Sequence, residues 1–140
     1  METSILLKYI EPHHTISIIG TVKNAGKTTV LNQLISEMEN DIIAITSIGL
    51  DGEKIDNVTN KPKPRIKVHK NMIIATAVDC LKECTFNYVL HESTKIDTAL
   101  GKIVIIEATN SGLVLVAGPS KKSEMMNVTV FLRLTFPRYL

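Results

Sequence analysis

The sequence predicts an α/β fold: a mostly parallel sheet with an antiparallel, strand-rich middle segment. Three observations carry that expectation. A short β-branched run, TISII (residues 15–19), ends at a glycine. A stretch with helical periodicity follows, and then a second apolar run, IIAITSIGL (residues 42–50). Strand, loop, helix and strand in such close succession form a βαβ unit, which crosses over right-handed.

Residues 1–14 show no clear period, and Pro12 with His13 and His14 reads as a lead-in. TISII, apolar and β-branched, suits a buried parallel strand. From Lys27 to about residue 39, Val30, Leu31, Leu34, Ile35 and Met38 recur at helical spacing, which predicts one apolar helix face. Asn40 and Asp41 stop that helix. IIAITSIGL is apolar on both sides, suits a second buried strand and closes at Asp51-Gly52. Residues 57–70, NVTNKPKPRIKVHK, are polar and basic, and predict a loop entering an exposed edge strand. MIIATAV (residues 72–78) is a further apolar strand, and residues 88–92 form a short one. KIVIIEA (102–108) and LVLVAG (113–118), separated by Thr109-Asn110-Ser111-Gly112, predict a hairpin. Pro119 and Ser120 cap a helix that starts at Lys121.

A chain of 140 residues with 44% apolar content is expected to form one folded domain, residues 1–140. Trp is absent and aromatics are few, so Ile, Leu, Val and Met must build the core. A net charge of +2 argues against nucleic acid or an anionic membrane as the main partner. No apolar run is long enough to span a bilayer, and METSILLKYIEPHH lacks the organisation of a signal peptide. Two cysteines supply no disulfide framework. The expectation is a cytoplasmic protein.

The run GTVKNAGKTT (residues 20–29) carries the most chemistry. Binding a triphosphate requires several backbone N–H groups aimed into one concavity, a helix N-terminus and a mobile ammonium. Gly26 lets the backbone approach, Lys27 reaches the terminal phosphates, and the Thr28 hydroxyl completes the shell of a Mg²⁺ ion. The spacing departs from G-x-x-x-x-G-K-[ST] at one place: position 21 is Thr, and Gly20 stands one residue early.

This string resembles the loop of dethiobiotin synthetase and the cobyric acid amide synthases, Gly-Thr, four residues, then Gly-Lys-[ST]. It is also similar to the Lys-Asn-Ser-Gly-Lys-Thr-Thr loop of the molybdopterin-guanine-dinucleotide biosynthesis adaptor. These belong with the MinD and nitrogenase iron-protein ATPases to the SIMIBI class of P-loop NTPases, a branch that tolerates Thr21 in place of glycine. The resemblance implies a P-loop NTPase-like sheet, with Asn24, Ala25, Gly26, Lys27, Thr28 and Thr29 binding the phosphates of ATP. The same resemblance implies that Lys27 is the catalytic cation. Lys23 does not align with the intermolecular lysine of MinD-type loops. Iron-protein relatives carry an Asp matching Asp51, which implies a catalytic and Mg²⁺-site role for Asp51 beside Thr28; a plain Asp-Gly turn is the competing reading, and Glu53 is a weaker candidate.

More narrowly, TVKNAGKTT, TSIGLDGE, IIATA, TALGKIVI and GPSKKSEMM together resemble the P-loop subunit of the lysine aminomutase reactivating factor. That likeness implies an accessory ATPase serving a cobalamin-dependent aminomutase, with a protein partner and possible self-association. It also implies a late strand ending in a second Mg²⁺-site carboxylate. VTVFLRLTFPRYL (128–140) supplies no carboxylate, and Pro137 argues against a central strand there, so the expected site is incomplete at the C-terminal end. An ATP-dependent synthetase of the dethiobiotin type, or a nucleotide-binding module without turnover, are the alternatives.

Other clusters read more plainly. Cys80 and Cys84, four apart, share a helix face, yet with His91 they make no tetrahedral metal set, and buried, unreactive thiols are expected. His13 and His14 have no nearby carboxylate. Lys61, Lys63, Arg65, Lys67, His69 and Lys70 lack interleaved aromatics on which bases stack, so a solvated edge is expected. Glu107 ends KIVIIE where a Walker B acid would stand, but the turn that follows makes it a hairpin residue.

Overall fold

Isoleucine-rich runs that alternate between two faces build the centre of the molecule. The computed structural model describes residues 5–10, 15–19, 26–48, 65–119 and 121–135. Its elements are α1 (Ile5–Ile10), α2 (Lys27–Glu37), β1 (Ala44–Ile45), β2 (Ile66–Val68), β3 (Ile73–Ala77), a 3₁₀ helix (Val78–Glu83), β4 (Tyr88–Thr98), β5 (Gly101–Ala108), β6 (Gly112–Val114) and α3 (Lys122–Thr135). Four strands form one sheet in the order β1-β3-β5-β4, and β2 with β6 form a second.

Along β3 and β5 successive side chains point to opposite faces, and both faces are apolar. Ile74, Val104, Ile106 and Ala108 meet Leu34, Ile35 and Met38 around α2, with Ile43, Ile45, Val68, Val114 and Val116. Ile73, Ala75, Ala77, Ile103 and Ile105 meet Val128 and Leu132 of α3 on the other side. The result is a layered α/β arrangement, with α2 and the small sheet on one face and α3 on the other. Ile73, Ile74, Ile103, Ile105 and Ile106 are fully buried, and burying each contributes roughly 1.5–3 kcal/mol.

The sheet itself corrects the expectation. Only β1 and β3 are parallel, through Ala44↔Ile73 and Ile45↔Ile74. β3 pairs antiparallel with β5, and β5 antiparallel with β4, so the described sheet is mostly antiparallel. The hairpin is β4–β5, turning at Ala99 and Leu100, not residues 102–108 with 113–118. β6 turns away from β5 and pairs with β2 instead, through Ile66↔Val114 and Val68↔Gly112. β4 extends six residues past the run read from the sequence. Its polar stretch HESTKIDT lies on the sheet edge, where apolar alternation is not required. TISII also differs: Ile16 and Ile18 pack against the core while Ile19 is 83% exposed, and residues 15–19 join no ladder among the described residues.

Residues 115–118 belong to no strand, yet they are bound to the end of β3. Ala77 N–H donates to the Ala117 carbonyl at 2.8 Å, and Ala117 N–H donates to the Thr76 hydroxyl at 3.0 Å. Thr76 is the fully buried polar side chain among the described core residues. Thr76→Val keeps the shape but leaves Ala117 N–H unsatisfied. It is expected to cost about 1–3 kcal/mol, read as a lower urea midpoint with unchanged slope.

Candidate phosphate-binding site

The helix that was expected at Lys27 begins there. Gly26 precedes it with φ 87° and ψ 18°, the left-handed conformation that disfavours any residue with a side chain. It also stands in open space, since a Cβ built at Gly26 would meet nothing within 4 Å. Val30 N–H closes the first turn on the Gly26 carbonyl at 3.0 Å. Among the described residues no side chain caps this N-terminus, and its first turn holds no acidic residue. The leading N–H groups and the helix dipole are therefore not answered by a side-chain cap. Lys27 and Thr29 are exposed and Thr28 is half-buried.

The rest of α2 anchors this end. Leu34, Ile35 and Met38 are buried and Leu31 packs against them, whereas Val30 is 40% exposed, so the apolar face engages only beyond the first turn. Met38 N–H bonds back to Leu34 and Ile35, and Asp41 N–H to Met38, reversing the chain into β1. β1 then pairs with β3, and its carboxyl end leads into residues 46–48. There Thr46 Oγ1 donates to the Ala75 carbonyl at 3.1 Å, and Ile48 is 53% exposed.

Of the sequence candidates, Gly26, Lys27, Thr28 and Thr29 come together at this helix start. Asn24, Ala25 and Asp51 lie outside the described residues, as do Thr21, Lys23 and Glu53. No group of three or more His, Cys, Asp or Glu residues suited to a metal occurs among the described residues. No described helix is long and apolar enough to cross a membrane.

The remaining candidates are dispersed. Cys80 is buried in the 3₁₀ helix, and Cys84, half-buried, caps its end. Burial pushes the Cys80 thiol above its ordinary range, against hydrogen bonds to Thr76 and Ala117, and the nearby Asp79 and Glu83 carboxylates push the same way. Such a thiol is a poor nucleophile. His91 lies on β4 with Nε2 3.6 Å from Glu107 Oε1. Glu107 is a hairpin residue, but of the β4–β5 hairpin. Arg65 donates from Nη1 to the Glu83 carbonyl at 3.1 Å, with Nη2 3.9 Å from its carboxylate, and Lys67 is exposed. Sequence reading missed Asn32, whose amide braces α2 against β2, and Gly118, packed on the Ser47 backbone. A glycine closing the apolar run VLVAG is a signal for close backbone approach; Asn32 gives none. Compared with family models, with curated proteins and with solved structures, the chain matches none of them.

Proposed function

We propose that this chain binds Mg-ATP at the N-terminus of α2, hydrolyses it slowly, and serves as an accessory ATPase that remodels or reactivates a partner enzyme, of the cobalamin-dependent aminomutase kind. The observation that carries the reading is the junction at Gly26: a left-handed glycine in open space leads straight into an uncapped helix whose first two residues are Lys27 and Thr28. The finer fold in this proposal is P-loop NTPase-like. The β1–β3 parallel pair supports it.

The helix start fits a polyphosphate. Its leading N–H groups and dipole favour a dense anion, Lys27 supplies a mobile positive charge, and Thr28 offers a hydroxyl to a divalent cation. A bound Mg²⁺ would neutralise charge that develops on the phosphates. Asp51 stands six residues beyond Ile45 in sequence, and in this reading its carboxylate orients water for attack.

The test is single-turnover hydrolysis by the wild type and Asp51→Asn at saturating Mg²⁺, with and without the candidate aminomutase. The wild type alone is expected to be slow and to accelerate with the partner. Asp51→Asn should lower Mg²⁺-dependent turnover at least roughly tenfold while Mg-free binding is nearly unchanged. Equal rates would reduce Asp51 to a turn residue. Rapid unassisted turnover that yields a small-molecule product would favour a synthetase instead.

A further inference from the structure

We infer that Asn32 is a positioning residue for the phosphate-binding end of α2, and that its side-chain amide couples nucleotide occupancy to the basic strand β2; the inference rests on the nucleotide reading above. Asn32 Nδ2 donates to the Arg65 carbonyl at 3.0 Å, and Lys67 N–H donates to Asn32 Oδ1 at 2.8 Å. Arg65 and Lys67 are two residues apart, so their backbone groups point the same way. β6 occupies the opposite side of β2, opposite Ile66 and Val68. Carbonyl of one residue and N–H of the second-next is the pair that a single residue of a neighbouring parallel strand would engage. The amide of Asn32 thus takes the place of one residue of a missing third strand, and closes the free edge of β2 from a helix 33 and 35 residues away in sequence.

The amide is oriented by its partners, because an N–H needs the oxygen and a carbonyl needs the nitrogen. Asn is an indifferent residue in a helix interior, and here a tertiary contact accounts for it. Asn32 stands five residues after Lys27, about 7.5 Å along a rigid helix. A change in the tilt of α2 on binding phosphate therefore acts directly on this bridge. From β2 the linkage continues through Arg65, which holds the Glu83 carbonyl at the end of the 3₁₀ helix. Gln33, next in sequence, reaches only Glu37 of its own helix, at 3.1 Å on the exposed side.

The experiment measures Mg-ATP affinity by calorimetry and hydrogen exchange at the Lys67 amide, using the full chain, Asn32→Ala, Asn32→Asp and the control Gln33→Ala. In the wild type, ATP is expected to slow exchange at Lys67. Asn32→Ala should bind ATP about tenfold more weakly, because α2 is then fixed against β2 only on binding, and show no ATP-dependent protection at Lys67. Asn32→Asp retains the acceptor for Lys67 N–H but cannot donate to Arg65, and should fall between. Gln33→Ala should match the wild type. The wild-type exchange measurement needs no substituted chain, so a misfolded variant leaves the inference exposed to test. If the wild type binds ATP but Lys67 exchange does not respond, or Asn32→Ala binds equally well, the positioning role is wrong while the nucleotide site stands. If the wild type binds no ATP, both fall together.

Discussion

Replacing Lys27 with alanine is expected to weaken Mg-ATP binding about a hundredfold or more and to leave the fold intact. The side chain is exposed at the first position of α2 and belongs to neither core cluster. Alanine is the best helix former, so the substitution adds no backbone cost. Against a triphosphate, the ammonium makes charge-assisted hydrogen bonds worth about 1.5–3 kcal/mol each. Losing one or two of them corresponds to roughly tenfold to twenty-thousandfold in affinity. Calorimetric titration reads the loss, and urea unfolding should give a midpoint close to that of the wild type. Wild-type affinity in Lys27→Ala, with Mg²⁺ present, would rule out the helix start as the phosphate site. A lysine placed here for stability alone would give that outcome.

The local elements were legible where chemistry and periodicity agree. α2 begins at Lys27 because Gly26 takes the left-handed conformation before it and the apolar spacing from Leu31 to Met38 has somewhere to pack. β3 and β5 lie where the Ile-rich runs are, since a strand buried on both faces needs apolar residues at every position. Pairing was less legible. A turn-forming sequence such as Thr109-Asn110-Ser111-Gly112 bends the chain but does not say which strand accepts the next segment. Here Leu113 N–H is taken by the Thr85 hydroxyl, at 2.8 Å, and Thr85 N–H by the Leu113 carbonyl, at 3.1 Å, drawing β6 away from β5. The true hairpin was obscured because β4 is an exposed edge: Tyr88, Val89 and Leu90 are all solvent-accessible, and the register with β5 shifts between Leu90 and Glu92 and again between Ser93 and Asp97, which erases the alternation that marks a half-buried strand.

The site divides along the same line. Gly26, Lys27 and Thr28 stand out in the sequence because what the proposal asks of them is local: one backbone conformation and two adjacent side chains at a helix start. Asn32 and Gly118 act on residues far along the chain, Arg65 and Lys67 for one and Ser47 for the other. No spacing rule reports a contact of that kind. Their importance appears only once the two sheets and α2 are in place.

Gly118→Ala should be the most damaging single-methyl change near the site, destabilising the protein by about 3 kcal/mol or more. A Cβ at Gly118 would lie 1.6 Å from the Ser47 carbonyl oxygen and 2.7 Å from its carbon, so the clash is with backbone. Neither side yields easily. Ala117, the preceding residue, is bound to Thr76 and Ala77, and Ser47 follows directly on β1 and Thr46, which is bound to Ala75. Relief therefore requires breaking the attachment to β3 or displacing the carboxyl end of β1. Gly26→Ala is the informative contrast: its Cβ would meet nothing, so its cost comes only from the left-handed backbone, about 1–2 kcal/mol. Chemical denaturation of the two variants separates close approach from backbone strain. The order should be Gly118→Ala well below Gly26→Ala, and both below wild type. Should Gly118→Ala prove as stable as Gly26→Ala, the packing of residues 115–118 on Ser47 would be wrong. The displacement of β1 expected in Gly118→Ala also reaches the strand end that leads to Asp51. Turnover should then fall more than Mg-free ATP affinity, which the proposal assigns to Gly26 through Thr29 and the helix that carries them.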